Sequence, residues 1–138
     1  MDYKKDRITE KRIENNIYKA IKCAEDFNRV FDFTPGSIKD LDHILAYYGQ
    51  DVRIRKLTDQ QVYDLASIFG AYLGQVLLDQ KYKEEGFAWI KEEDLSFPIL
   101  KKDDFVISPI EKVYKRLKNG PGEDIKDYYI GLIEKDNS

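Results

Sequence analysis

The sequence contains one cysteine, Cys23, and one histidine, His43, and both shortages narrow its chemistry. A lone cysteine forms no intramolecular disulfide and no thiolate metal cluster. A metal site needs several converging ligands, so His43 beside Asp40 and Asp42 predicts no metal centre. A nucleophilic Cys23 with His43 as its base stays an alternative. We expect instead a half-buried structural cysteine and a histidine on a solvated helix surface, with no catalytic residue, metal or cofactor.

Long apolar runs are also missing. No stretch approaches the roughly 18 apolar residues that span a bilayer. The charged start, "MDYKKDRITEKR", has no apolar run behind it that would make a signal peptide. These features predict no membrane partner and a cytoplasmic location.

An excess of positive charge is the third absence. The formal net charge is −3; residues 1–60 hold 12 basic and 11 acidic side chains, whereas residues 61–138 hold 11 basic and 15 acidic ones. Phosphate binding needs a clustered positive field, so the sequence argues against nucleic acid as a partner. The acidic second half favours a basic protein partner instead.

The 138 residues, 42% of them hydrophobic, suit one domain over residues 1–138. Apolar stripes at helical spacing predict three N-terminal helices, at about residues 9–29, 37–49 and 58–80. Alternating or short apolar runs then predict three strands, in 87–90, 95–100 and 105–107. One or two helices follow, from 109 and from about 123. This order predicts an α+β fold in which helices pack on a small antiparallel sheet.

Capping residues predict where the helices begin and end. Ser37 and Ser108 are candidate caps, the latter with Pro109 at the first helical position. Thr58 and Gln61 have the spacing of a capping box, and so do Ser108 and Glu111. Gly49 is a candidate left-handed terminator. Pro98 cannot donate to a sheet ladder, so we expect its strand at an edge or bulged.

Gly70 and Gly74 stand on one face of the third helix, although each costs about 1 kcal/mol of helix propensity relative to alanine. Asp64, Gln75 and Asp79 flank them, which excludes a membrane dimer motif. A phosphate loop is excluded because its Lys and Ser/Thr are missing. We therefore predict close packing at both glycines, with Trp89 as a core anchor. A ligand pocket beside these three residues is the alternative.

Acidic clusters flank the predicted middle strand, and tyrosines recur in adjacent pairs. Neighbours on a helix diverge by about 100°, which leaves one tyrosine of a pair partly exposed. An exposed tyrosine beside carboxylates suits a protein interface. The predicted binding residues are Glu92, Glu93, Asp94, Asp103, Asp104 and Tyr128.

The stretches "TPGSIKDLDHIL", "LASIFGAYLGQVLL", "FAWI" and "VISPIEKVYKRLKNG" resemble a family of small bacterial domains of uncharacterised function. The resemblance covers about residues 33–120. It implies a helix with two glycines four residues apart before a tryptophan-bearing strand, and a bacterial origin, and it assigns no catalytic residue. Small acidic proteins of this kind are also similar to immunity proteins that neutralise toxins.

The sequence as a whole predicts a non-catalytic module that binds a basic protein, in an immunity-type role as one concrete version. The runner-up is a small-molecule-binding domain or enzyme, with its pocket near Gly70, Gly74 and Trp89. Self-association through the strand that contains Pro98 is a third hypothesis.

Overall fold

Five α-helices and three β-strands lie within residues 7–134, the part of the chain that the computed structural model describes. The structure is α+β, and its helices pack on a three-stranded antiparallel sheet, as the sequence predicts. Two helices, rather than one, follow the sheet. In chain order the elements are α1 (Arg7–Asp26), α2 (Ser37–Arg53), α3 (Asp59–Leu77), β1 (Ala88–Ile90), β2 (Ile99–Lys102), β3 (Phe105–Ile107), α4 (Pro109–Asn119) and α5 (Ile125–Glu134).

The central helix is α3, which packs against both α1 and α4. From Phe69 to Gly74 every residue of α3 is buried, so this helix has no solvent-facing side there. A helix that is apolar all round belongs inside a core. One cluster of buried apolar side chains surrounds α3 and draws on all five helices and all three strands.

The sheet has the order β1–β2–β3. Ile99 at the start of β2 pairs with Ile90, and Lys102 at its end pairs with Phe105. The prediction that the strand with Pro98 lies at an edge is wrong, because β2 is the central strand. Pro98 precedes the ladder, so its missing N–H removes no sheet hydrogen bond. Since β2 is paired on both sides, it offers no open edge for self-association.

The predicted capping box of α3 is confirmed. Gln61 N donates to Thr58 Oγ1 at 3.1 Å, and Thr58 N donates to Gln61 Oε1 at 2.8 Å. Both bonds satisfy amides that the first turn of a helix leaves without partners. This capping box can be predicted from the sequence because all of its groups lie within four residues.

Two predicted helix starts are confirmed, since α2 begins at Ser37 and α4 at Pro109, but the predicted side-chain caps and the predicted end at Gly49 are wrong. The hydroxyl of Ser37 donates to Thr34 O at 2.7 Å and also bonds the buried Tyr72 hydroxyl at 2.7 Å. Gly49 lies inside α2, where an added Cβ would lie 3.6 Å from the carbonyl oxygen of Leu117 on α4. Ser108 makes no side-chain capping bond, although Pro109 does occupy the first turn of α4.

The third helix, predicted to end at about residue 80, ends as an α-helix at Leu77. The chain continues as a π-helical turn, Leu78–Tyr82. Tyr82 Oη then donates to Leu132 O at 2.7 Å, and Lys81 Nζ donates to the same oxygen at 3.2 Å. These bonds satisfy a carbonyl of the last turn of α5. The turn therefore fixes the C-terminal helix to the core.

Candidate functional site

The two glycines of α3 mark its closest contacts with other elements. A Cβ added at Gly70 would overlap the Cα of Ile110 and would lie 2.7 Å from its Cγ1. A Cβ added at Gly74 would overlap the six-membered ring of Trp89 and lie 3.1 Å from Cγ of Pro109. Trp89 is only 4% exposed. Both positions therefore accommodate the protein's own side chains. These side chains fill the space in which a ligand pocket is the alternative prediction.

The predicted acidic residues fall into two groups at opposite ends of the sheet. Residues 92–94 lie in the loop that joins β1 to β2, whereas residues 103 and 104 join β2 to β3. The length of β2, about 10 Å, separates the two connections. The structure therefore does not bring the five carboxylates together into one acidic face.

The loop between β1 and β2 uses one of its carboxylates internally. Glu92 Oε1 accepts a hydrogen bond from Lys101 Nζ at 2.6 Å, and both side chains are partly buried. Glu93 and Asp94 are exposed. Lys91 folds back on the same loop and donates to the backbone oxygens of Glu92 and Leu95. These contacts give the loop a defined shape, and they neutralise part of its charge.

The hairpin between β2 and β3 presents a different arrangement. Because Lys102 pairs with Phe105, Asp103 and Asp104 form a two-residue turn. Asp103 has a φ of 52°, a left-handed conformation that aspartate tolerates better than most residues. The side chains that follow are apolar but exposed, 69% for Phe105 and 49% for Val106. We call residues 103–106 the hairpin tip.

In the hairpin tip, Phe105 and Val106 place apolar side chains on both faces of the sheet, because successive strand residues point to opposite sides. Ile107, one residue further, is 8% exposed and belongs to the core, so the helices cover the sheet up to this point and leave Phe105 outside. Among residues 7–134 no strand pairs with the outer edge of β3. The sequence predicts the two aspartates as binding residues but not their apolar neighbours, because "FVI" matches a buried strand equally well.

Tyr128 lies on α5 and contacts residues of the protein itself. Lys112 Nζ stands 5.4 Å from the centre of its ring, and the same ammonium makes an ion pair with Glu123 at 2.6 Å. Burial raises the pKa of Tyr128 to about 12. Its half-buried ring is thus part of an internal cation–π contact.

The histidine and the cysteine that the sequence offers as a catalytic pair lie in different surroundings. His43 is exposed, whereas the adjacent Asp42 turns inward and accepts a 3.0 Å hydrogen bond from Arg116 Nε. Cys23 is half-buried, and its Sγ lies 3.4 Å from Tyr48 Oη. No group of three metal-ligating side chains occurs in the described part of the chain.

A groove of about 460 Å³ lies between α1, α3 and the loop that joins β1 to β2. Ile13 and Ile110, which are 3% and 1% exposed, form its base. Ile110 also covers Gly70, so the groove is on the solvent side of the residue that fills the predicted pocket. The sequence does not predict this groove, because segments far apart in the chain form it.

A second, shallower hollow adjoins the groove and shares Tyr63 and Ser96 with it. The Tyr63 hydroxyl donates to Ser96 O at 2.9 Å and so separates the two hollows. Its ring stacks on Phe97 at 4.8 Å between centroids. This contact fixes the end of the loop before β2 against α3.

Within residues 7–134 the structure contains no helix that is both long enough and apolar enough to cross a membrane. Comparisons of the chain with protein-family models, with curated proteins and with solved structures found no match.

Proposed function

We propose that the protein is a non-catalytic module that binds a basic protein through the hairpin tip. The observation that carries the proposal is an exposed phenylalanine, Phe105, directly beside the carboxylates of Asp103 and Asp104. Aromatic side chains that become buried on association supply much of the energy of protein interfaces. Neighbouring charges steer the partner and select its sign.

The surroundings of the hairpin tip add negative charge. The side chain of Lys102 lies beside Gly86, 3.5 Å from the position of an added Cβ, so the segment before β1 runs next to the hairpin. That segment contains Glu84 and Glu85. Asp103 and Asp104 precede the exposed Phe105, and the backbone of an acidic segment runs beside the hairpin, which favours a partner rich in lysine and arginine.

Affinity capture from the source cell at low ionic strength tests the proposal. The test variant replaces Phe105 and Val106 with serine. The matched control replaces Val30 and Ile54, which are 70% and 63% exposed, with serine. We expect the wild type and the control to retain a basic protein that the test variant loses, and we expect added salt to release it. Capture of no basic protein, or equal capture by all three forms, contradicts the proposal.

An immunity-type role is the concrete version of this function. In that role the basic partner is a toxin, and a toxin gene would lie beside the gene for this protein. Co-expression should then rescue growth, and the serine variant of Phe105 and Val106 should not. Rescue that is unaffected by the substitutions would show that immunity does not depend on the hairpin tip.

A further inference from the structure

We propose that the groove between α1 and α3 is a second binding site, for a small organic anion with an apolar body. Its volume, about 460 Å³, lies in the range of small-molecule sites, roughly 300–1,000 Å³. Such sites combine an apolar base with a few polar groups that orient the ligand. Nothing in the function assigned to the hairpin tip uses this groove, which lies toward the other end of β2.

The wall that α1 contributes is basic. Arg12, Asn16 and Lys19 line the groove and follow one another at helical spacing, so they share one face of α1. Seven residues separate the two cations, about 10 Å along the axis. Neither Arg12 nor Lys19 makes an ion pair or a hydrogen bond within residues 7–134.

The facing walls add one further cation and several hydrogen-bonding groups. Lys91 lines the groove from the loop before β2, and Ser67 lines it from α3. Among the described residues that line the groove, Asp64 is the only acidic one, and it accepts a hydrogen bond from Gln60 at 2.8 Å. Within residues 7–134, three cations and one carboxylate line the groove, in a protein whose formal net charge is −3.

This contrast in charge determines the class of ligand. A positive groove on an acidic protein attracts small anions, while the negative charge elsewhere disfavours large polyanions such as nucleic acids. The apolar base contributes affinity only for a ligand that also has an apolar body. An aliphatic or aromatic carboxylate, sulfonate or monophosphate meets both requirements.

The experiment uses 8-anilinonaphthalene-1-sulfonate as the anionic probe and N-phenyl-1-naphthylamine as its uncharged counterpart. The test variant combines Arg12→Gln with Lys19→Gln. The matched control combines Lys11→Gln with Lys22→Gln, which removes the same charge from α1 outside the groove. We expect the test variant to bind the sulfonate about five- to tenfold more weakly than the control, because each exposed ion pair contributes modestly. Binding of the neutral probe should be equal in both.

Backbone amide NMR locates the bound sulfonate. We expect saturable shifts at Asn16, Ser67 and Ser96 and none at Phe105. Equal sulfonate affinity in the test and control variants overturns the proposal. So do shifts spread over the surface, shifts confined to the hairpin tip, or the absence of binding.

Discussion

The indole ring of Trp89 lies directly over Gly74, where no space remains for a methyl group. Gly74 belongs to the central helix and Trp89 to the first strand, so this contact fixes the sheet to α3. Gly70 makes the corresponding contact with α4 through Ile110. Close packing of backbone on side chain thus offsets the helix propensity that two glycines forfeit, about 2 kcal/mol.

Gly74→Ala should destabilise the protein by about 1–3 kcal/mol, because the indole must move and overpacked cores cost that much. Trp89 is the only tryptophan, so its fluorescence emission should change as well. Urea unfolding and the emission spectrum measure both effects. Gly131→Ala on α5, where an added Cβ meets nothing, is the control and should gain up to about 1 kcal/mol. Equal effects at the two glycines would contradict the packing.

Asp42→Ala should destabilise the fold by about 3 kcal/mol. Its partner Arg116 is 3% exposed, and a buried guanidinium without its carboxylate is strongly unfavourable. Lys115→Ala removes the exposed pair with Glu111 and should change the free energy of unfolding by less than about 1 kcal/mol. Chemical denaturation of both variants measures the difference. Similar costs for the two would show that the buried pair contributes no more than a surface pair.

Stability should fall as the pH rises above about 10. Burial raises the pKa of Tyr128 from 10.0 to about 12, so the folded protein keeps a proton that the unfolded chain loses. The resulting stabilisation is complete below pH 10 and is lost between pH 10 and about pH 12. Burial also raises the pKa of Tyr72, Tyr82 and Tyr129, which adds to the same decline.

Tyr128→Phe should make this alkaline decline shallower, whereas Tyr18→Phe should not, because Tyr18 is 62% exposed. Free energies of unfolding at about pH 9 and pH 11.5 give the comparison. An equal decline in wild type and Tyr128→Phe would show that the tyrosine ionises as readily in the folded protein as in the unfolded chain.

The sequence predicts the features that depend on local chemistry. The Thr58–Gln61 box and the order of helices and strands follow from spacing within a few residues. Ser37 does not cap α2 with its side chain, because its hydroxyl bonds Thr34 O and the hydroxyl of the distant Tyr72. Gly49 continues α2 instead of ending it, and the backbone of α4 lies within contact distance of it. A capping motif does not predict contacts with residues that are far away in the sequence.

The candidate surfaces are harder to predict for the same reason. Phe105 and Ile107 alternate correctly for one face of a strand, yet only the extent of the helices decides that Ile107 is covered and Phe105 is not. The groove requires Arg12, Ser67 and Lys91 to meet, and no pattern in the sequence links them. By contrast, the spacing of Gly70 and Gly74 does predict a close approach, because the cost of each glycine is local.

Photo-cross-linking from the hairpin tip tests whether a basic protein binds there. Phe105→p-benzoylphenylalanine places a cross-linker in the proposed interface, and Ile54→p-benzoylphenylalanine places one at a similarly exposed site elsewhere. In the source cell, we expect a cross-link from position 105 to one basic protein, with none to that protein from position 54. That cross-link should weaken when Asp103 and Asp104 become asparagine. The same products from both positions, or only acidic products from position 105, would contradict the account.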